Sequence, residues 1–260
     1  METGQRDQVD YLLEAESGLG GPPPRPAPDE VALTIGEAAA ARIGDGATLQ
    51  MGIGAVPDAV LGRLVERRGL RIWSEMFSDG VLALSRRGCL DLSEPVVASF
   101  VLGSPELYAW IDRNPRVRLL RTELTNAPSR IALNPRMVSI NTALQVDLFG
   151  QANASRIGAR IYSGFGGQTD FIVGAIHADG GQALMTLASW HRKADVSTIV
   201  AQLGEPVTSF QHTAVITENG VAELYGADER TQARRLIEDA AHPSARPALR
   251  EAARELGLGS

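Results

Sequence analysis

The chain has 260 residues, 44% hydrophobic and 22% charged, with 25 basic against 31 acidic side chains and a net charge of −6. This length and mix suit one large α/β domain or two small ones, and the acidic balance excludes a general nucleic-acid binder. Cys89 is the only cysteine and Lys193 the only lysine, which excludes a disulfide framework, a thiolate metal cluster and a lysine-bearing phosphate loop upstream of Lys193.

The first ten residues, METGQRDQVD, are acidic and polar rather than a signal peptide. No apolar run approaches the ~20 residues of a membrane span, so a cytoplasmic protein without a membrane partner is expected. Residues 1–30 read as a leader. Val9 to Leu13 is a short apolar stretch, and the Pro-rich run Pro22 to Pro28 suits either a semi-rigid linker or a frayed terminus.

From Thr34 onward, helix and strand signals alternate. Thr34-Ile35-Gly36-Glu37 has the form of a capping box opening an Ala-rich helix that ends at Gly44-Asp45-Gly46. Ala47 to Met51 reads as a strand, Gly52-Ile53-Gly54 as a tight turn, and Pro57 to Arg68 as a helix stopped by Gly69. Leu70 to Ser74 is the next strand, followed by the Ser78-Asp79-Gly80 turn and a short helix to Arg87. Pro95 to Leu102 reads as a buried strand, Ser104-Pro105-Glu106 as the cap of a helix to Arg113, and Val117 to Leu120 as a strand. Met137 to Asn141 and Leu144 to Leu148 are close enough to pair as a hairpin. Strands follow at Gln182 to Ala188, Ser197 to Leu203 and Ala214 to Thr217, then helices at Asp228 to Ala240 and Pro247 to Leu256. The rhythm predicts an open α/β sandwich whose mostly parallel sheet is covered on both faces.

Four places carry candidate chemistry. Gly52-Ile53-Gly54 stands between a strand and a helix, where backbone amides approach a phosphate or an oxyanion. The dinucleotide fingerprint wants a third glycine where Pro57 stands, so a nicotinamide cofactor fits poorly. Glu75 closes the Leu70–Ser74 strand, at the sheet edge where α/β proteins bind ligands; taken alone, it equally suits a carboxylate capping the next turn. Gly164 to Phe171, with Gly166, Gly167 and Gln168, offers either an anion-binding nest before a helix or a plain flexible loop. Asn126, Asn141 and Glu218 sit beside strand ends, where each could orient a substrate or bond local backbone.

Other chemistries fall away. His177, His191, His212 and His242 lack metal-ligand spacing, and no zinc or other metal site is expected. There is no G-x-S-x-G elbow. Cys89, between Gly88 and Leu90, has no nearby histidine and reads as a packed residue. Trp73, Trp110 and Trp190 are scattered rather than arranged as a stacking platform.

Taken together, five blocks resemble the acetyl-CoA hydrolase/transferase family, whose members include 4-hydroxybutyrate, butyryl and succinyl CoA-transferases. They are Gln50 to Val60, Ser74 to Val81, Ser139 to Gln151, Gly164 to Phe171 and Thr217 to Leu224, with Ala241-His242-Pro243 fitting as well. The likeness runs from about Val31 to the C-terminus. It implies a three-layer α/β/α sandwich of the CoA-transferase type over 31–260, and a preceding domain of similar fold that is not in this chain. Ser74 stands where the family often has Thr, and Trp73 where His is frequent.

The resemblance further implies the roles. Glu75 would attack an acyl-CoA thioester and pass through a mixed anhydride to a glutamyl-CoA thioester. The backbone around Met51 and Gly167 would supply oxyanion donors, within a wall of Gln50, Met51, Gly52, Ile53, Gly54, Gly166, Gly167 and Gln168. Asn126, Asn141 and Glu218 would position carboxylate or CoA. CoA enters as substrate, with no further cofactor. The expected partners are an acyl-CoA, a short-chain carboxylate, and either an N-terminal-half subunit or further copies of the chain. The alternatives are acyl-CoA hydrolysis at the same site, a non-catalytic CoA-binding subunit, and a sugar-phosphate enzyme of similar fold, against which the single lysine argues.

Overall fold

The computed structural model of the chain describes residues 10, 11, 13, 14, 16, 27–164 and 166–259. Most of the expected leader, including Pro22 to Pro26, and Phe165 in the glycine-rich stretch lie outside the described residues. Among the described residues no helix is long and apolar enough to cross a membrane.

A six-stranded sheet forms the middle layer, in the order Gly220–Glu223, Ala214–Thr217, Gln182–Thr186, Met137–Thr142, Thr48–Met51, Arg71–Ile72. All neighbours are parallel except Gly220–Glu223, which turns back antiparallel on Ala214–Thr217. A parallel bridge from Trp73 to Val97 carries the layer on to Val96–Ala98, which pairs with Val117–Leu119. Thr48–Met51 and Ala214–Thr217 are buried at every position, as a sheet covered on both faces requires.

Alternation along the strands divides the core in two. Val138, Ile140, Leu184, Ala214 and Ile216 face one cluster, built with helices Glu30–Ala41, Ala55–Arg63 and Asp79–Arg86. Ala183, Met185, Val215 and Ala222 face the other, built with helix Gln168–His177, the turns that follow Glu229–Arg235, and helix Arg246–Glu255. The architecture is therefore an open three-layer α/β/α sandwich, as the helix-strand rhythm predicts.

Several boundaries differ from expectation. The first helix begins at Glu30, not at the Thr34 capping box. The Asp29 carboxylate accepts from the Ala32 N–H at 2.9 Å, and the Thr34 hydroxyl donates to the Glu30 carbonyl inside the helix. Asp is as strong an N-cap as Ser, and the earlier start places Ala32 on the buried face beside Ile35. The second helix starts at Ala55 and stops at Arg63, short of Arg68, and Asp228–Ala240 is an α-helix to Arg235 followed by a π-helical turn.

The hairpin expected at 137–148 does not form. Met137–Thr142 sits inside the main sheet, while Gln145–Asp147 pairs with Ala152–Asn153 and Ile199–Val200 in a separate three-stranded sheet. The run from Met137 to Ile140 is buried throughout, which suits a central parallel strand. The connector Ala143-Leu144 also lacks the Gly or Asn that a tight hairpin demands.

Candidate active site

The predicted strand Pro95 to Leu102 breaks into Val96–Ala98 and Phe100–Val101, and the break builds the site. The N–H groups of Ser99 and Phe100 both donate to the carbonyl of Glu75, at 2.8 and 3.2 Å. Two successive amides on one carbonyl interrupt the ladder in the manner of a bulge, a device that re-aims a side chain. Below it, the Ser74 N–H donates to the Val97 carbonyl at 3.1 Å and its hydroxyl to the Met51 carbonyl at 3.3 Å. Above it, Met76–Phe77 resumes pairing with Phe100–Val101. Glu75 thus leaves the sheet at a fixed kink, half-buried, and lines a cavity of about 470 Å³ at the carboxyl ends of the strands.

Glu75 Oε2 accepts the backbone N–H of Gly167 at 2.9 Å. Gly167 precedes helix Gln168–His177, so the helix-forming reading of the glycine stretch holds. A Cβ at Gly167 would lie 2.6 Å from both Glu75 Oε2 and Asn126 Nδ2, and only glycine admits that approach. Asn126 is held from behind. Thr125 Oγ1 donates to Asn126 Oδ1 at 2.9 Å, Ser99 Oγ lies 2.5 Å from Thr125 Oγ1, and Trp73 Nε1 donates to the Thr125 carbonyl at 2.9 Å. With its oxygen engaged, Asn126 presents its NH₂ end beside Gly167 and Glu75.

The opposite wall comes from the Thr48–Met51 strand and the turn after it. Gln50, Met51, Gly52 and Ile53 line the cavity together with Gly166, Gly167, Gln168 and Asn141. The side-chain amides of Gln50 and Asn141 face each other at 3.4–3.5 Å across neighbouring strands, and Asn141 Nδ2 also donates to Ser139 Oγ at 2.7 Å. Gln168 Nε2 is buried without a protein partner. Asp170, one helical turn on from Gly167, has its carboxyl raised above the usual range by burial and then by the Glu75 charge.

Two expected residues lie elsewhere. Gly54 is the N-cap of Ala55–Arg63, at φ 137°, one residue beyond the cavity lining. Glu218 lines a second cavity, of about 490 Å³, and accepts from the Ser189 N–H and hydroxyl at 2.8 and 2.6 Å. Thr142 lines both cavities. Residues without a sequence signal complete the first cavity: Ser155, Tyr162 and Ser163 on one side, and Val207, Thr208 and Phe210 on another.

Comparison with known proteins places this geometry in a family. Residues 103–253 match the model of the acetyl-CoA hydrolase/transferase C-terminal domain. The 4-hydroxybutyrate coenzyme A transferase of Clostridium kluyveri is 42% identical over 93% of this chain and 58% of its own length. The succinyl-CoA:acetate/propanoyl-CoA:succinate CoA transferase of Fasciola hepatica is 41% identical over 88% of this chain and 50% of its own. The crystal structure of RipA from Yersinia pestis superposes with a TM-score of 0.90 at 34% identity, over 97% of this chain and 59% of that one. The chain spans between half and three-fifths of the length of these relatives. On this agreement of sequence and architecture, the chain belongs to the acetyl-CoA hydrolase/transferase family.

Proposed function

We propose that residues 31–260 form a catalytic domain that exchanges CoA between a short-chain acyl-CoA and a carboxylic acid, with Glu75 as the nucleophile. The carboxylate adds to the thioester carbonyl and the CoA thiolate departs, leaving an acyl-glutamyl anhydride. The thiolate then attacks the glutamyl carbonyl, releasing the free acid and forming a glutamyl-CoA thioester. An incoming carboxylate runs the sequence backwards. Covalent catalysis divides one difficult exchange into easier steps. CoA is a substrate here, and no further cofactor takes part.

The observation that carries this reading is the bond from the Gly167 N–H to Glu75 Oε2. When the glutamyl carbonyl is attacked, its own oxygen becomes the oxyanion. A donor already held on that oxygen stabilises the charge without reorganising. The amides of Asn126 and Gln168 add donors beside it.

Acyl-CoA hydrolysis is the second outcome of the same site, reached when water attacks the anhydride or the thioester. The cavity rim supports a covering partner. Ile53, Phe100 and Tyr162 line it and remain 40%, 48% and 66% exposed. A subunit or domain corresponding to the rest of the relatives' length, or a second copy of the chain, would exclude water there. An exchange assay with an acyl-CoA and labelled acetate, run on the chain alone and with such a partner, tests this. Transfer that rises with the partner while hydrolysis falls supports the reading. Absence of CoA exchange under both conditions contradicts it.

A further inference from the structure

The two cavities follow the same edge of the sheet. The first lies over the carboxyl ends of Arg71–Ile72, Thr48–Met51 and Met137–Thr142; the second lies over those of Met137–Thr142, Gln182–Thr186 and Ala214–Thr217, with Thr142 common to both. Glu75 follows the first of these five strands and Glu218 the last. Four strand spacings of ~4.8 Å separate them, about 19 Å. The pantetheine arm of CoA has about 13 bonds from sulfur to the first phosphorus and, fully extended, reaches about 16 Å at the advance per bond of an extended chain. A thiol at Glu75 therefore brings the diphosphate to the second cavity.

The lining there suits a nucleotide. Trp190 packs against His242, ring centroids 4.7 Å apart. Trp190 Nε1 donates to Asp195 Oδ1 at 3.0 Å, which pins the ring to its own hairpin. Between these residues the hairpin tip carries His191, Arg192 and Lys193, all exposed, with His191 and Arg192 on the cavity wall. The two carboxylates at this cavity are engaged: Asp29 caps the first helix and Glu218 is held by Ser189.

We infer that the second cavity takes the adenosine 3′,5′-bisphosphate end of CoA, with the base on the Trp190–His242 pair and the phosphates at Arg192. Glu218 then serves this end of the substrate rather than the acyl end, its remaining lone pairs accepting from a ribose hydroxyl or an amide of the arm. The inference rests on the CoA-transfer reading proposed above.

The full chain, wild type and variant, is titrated by calorimetry with CoA, with pantetheine and with adenosine 3′,5′-bisphosphate. Trp190→Ala weakens CoA and the bisphosphate by about tenfold, the scale of one stacked base, and leaves pantetheine unchanged. Trp190→Phe restores most of the affinity. Arg192→Ala weakens the same two ligands and also leaves pantetheine unchanged. Thermal melts of each variant check that the fold persists. CoA and bisphosphate affinities that stay at wild-type values in Trp190→Ala and Arg192→Ala overturn the inference and leave the CoA reading standing. A wild-type chain that binds none of the three ligands counts against both.

Discussion

The backbone N–H of Gly167 and the carboxylate of Glu75 meet at 2.9 Å although 92 residues separate them in the chain. One comes from a kink between two strand segments and the other from the start of a helix on the opposite face of the sheet. Their meeting gives the cavity a reactive floor, and the predictions below vary its parts.

Gly167→Ala places a Cβ 2.6 Å from Glu75 Oε2 and from Asn126 Nδ2, and 3.2 Å from the Phe171 ring. Two of these neighbours are ends of side chains that can swing away, so the fold survives. The carboxylate does not keep its position, and a shift of ~1 Å costs about 100-fold in rate. The expected result is an exchange rate reduced about 100-fold with a melting temperature lowered by a few degrees at most. Gly167→Val should act in the same direction more strongly. Unchanged turnover in both variants would place Gly167 away from the chemistry.

Asn126 and its support should separate cleanly. Asn126→Ala removes the NH₂ end beside Glu75, and kcat is expected to fall by about 10- to 100-fold, the scale of a weaker relative of an oxyanion donor. Trp73→Phe keeps the packing but loses the bond from Nε1 to the Thr125 carbonyl. Only the tether of Asn126 is loosened, so kcat should fall by a smaller factor. Stopped assays at saturating substrate, which read kcat apart from KM, check the ordering.

His212 gives the chain an acid-sensitive wall. It is buried against Phe210, which lines the cavity, and its Nδ1 donates to the Gly150 carbonyl at 3.1 Å while Nε2 has no partner. Burial pushes the imidazole down to about 4. The unfolded chain, with an ordinary value near ~6.5, binds more protons between those two limits. His212 therefore contributes stability that is present above pH ~6.5 and is lost as the pH falls toward 4. Asp147 and Asp170 are raised by burial and act in the opposite sense, favouring the fold as they protonate. Comparing wild type with His212→Gln isolates the histidine: the wild-type melting temperature should fall more steeply than the variant's between pH 6.5 and 4.

The start of the first helix is a direct test of the corrected boundary. Asp29→Ala should cost about 1 kcal/mol in denaturant unfolding, the usual worth of an N-cap. Thr34→Ala, inside the helix, should be close to neutral. The opposite ordering would restore the capping box at Thr34.

What the sequence made legible, and what it hid, follows from how each part is encoded. Glu75, the Gln50–Ile53 turn and the Gly166-Gly167-Gln168 stretch each lie at an abrupt change from apolar strand to small or polar residues, and such changes survive in one dimension. The sheet itself was legible for the same reason, since Thr48–Met51 and Ala214–Thr217 are short apolar runs between turn residues. The partners of each strand were not. Met137–Thr142 and Gln145–Asp147 are close in sequence but belong to different sheets, because burial on both faces drew the first into the centre. The walls from Ser155 to Ser163 and Val207 to Phe210 come from irregular segments with no periodicity to read. Glu218 was visible as a strand-end carboxylate, but its distance from Glu75 appears only once the strand order is known.

The central claim is that Glu75 becomes covalently joined to CoA. The most direct measurement is mass spectrometry of the chain after incubation with an acyl-CoA, together with the longer relatives' missing portion where one is supplied, followed by borohydride reduction and peptide mapping. The account predicts a CoA adduct on the peptide containing Glu75 before reduction, the corresponding alcohol at Glu75 after it, and neither in Glu75→Ala. CoA exchange that proceeds at the wild-type rate in Glu75→Ala, or an adduct mapped to a different residue, would contradict it.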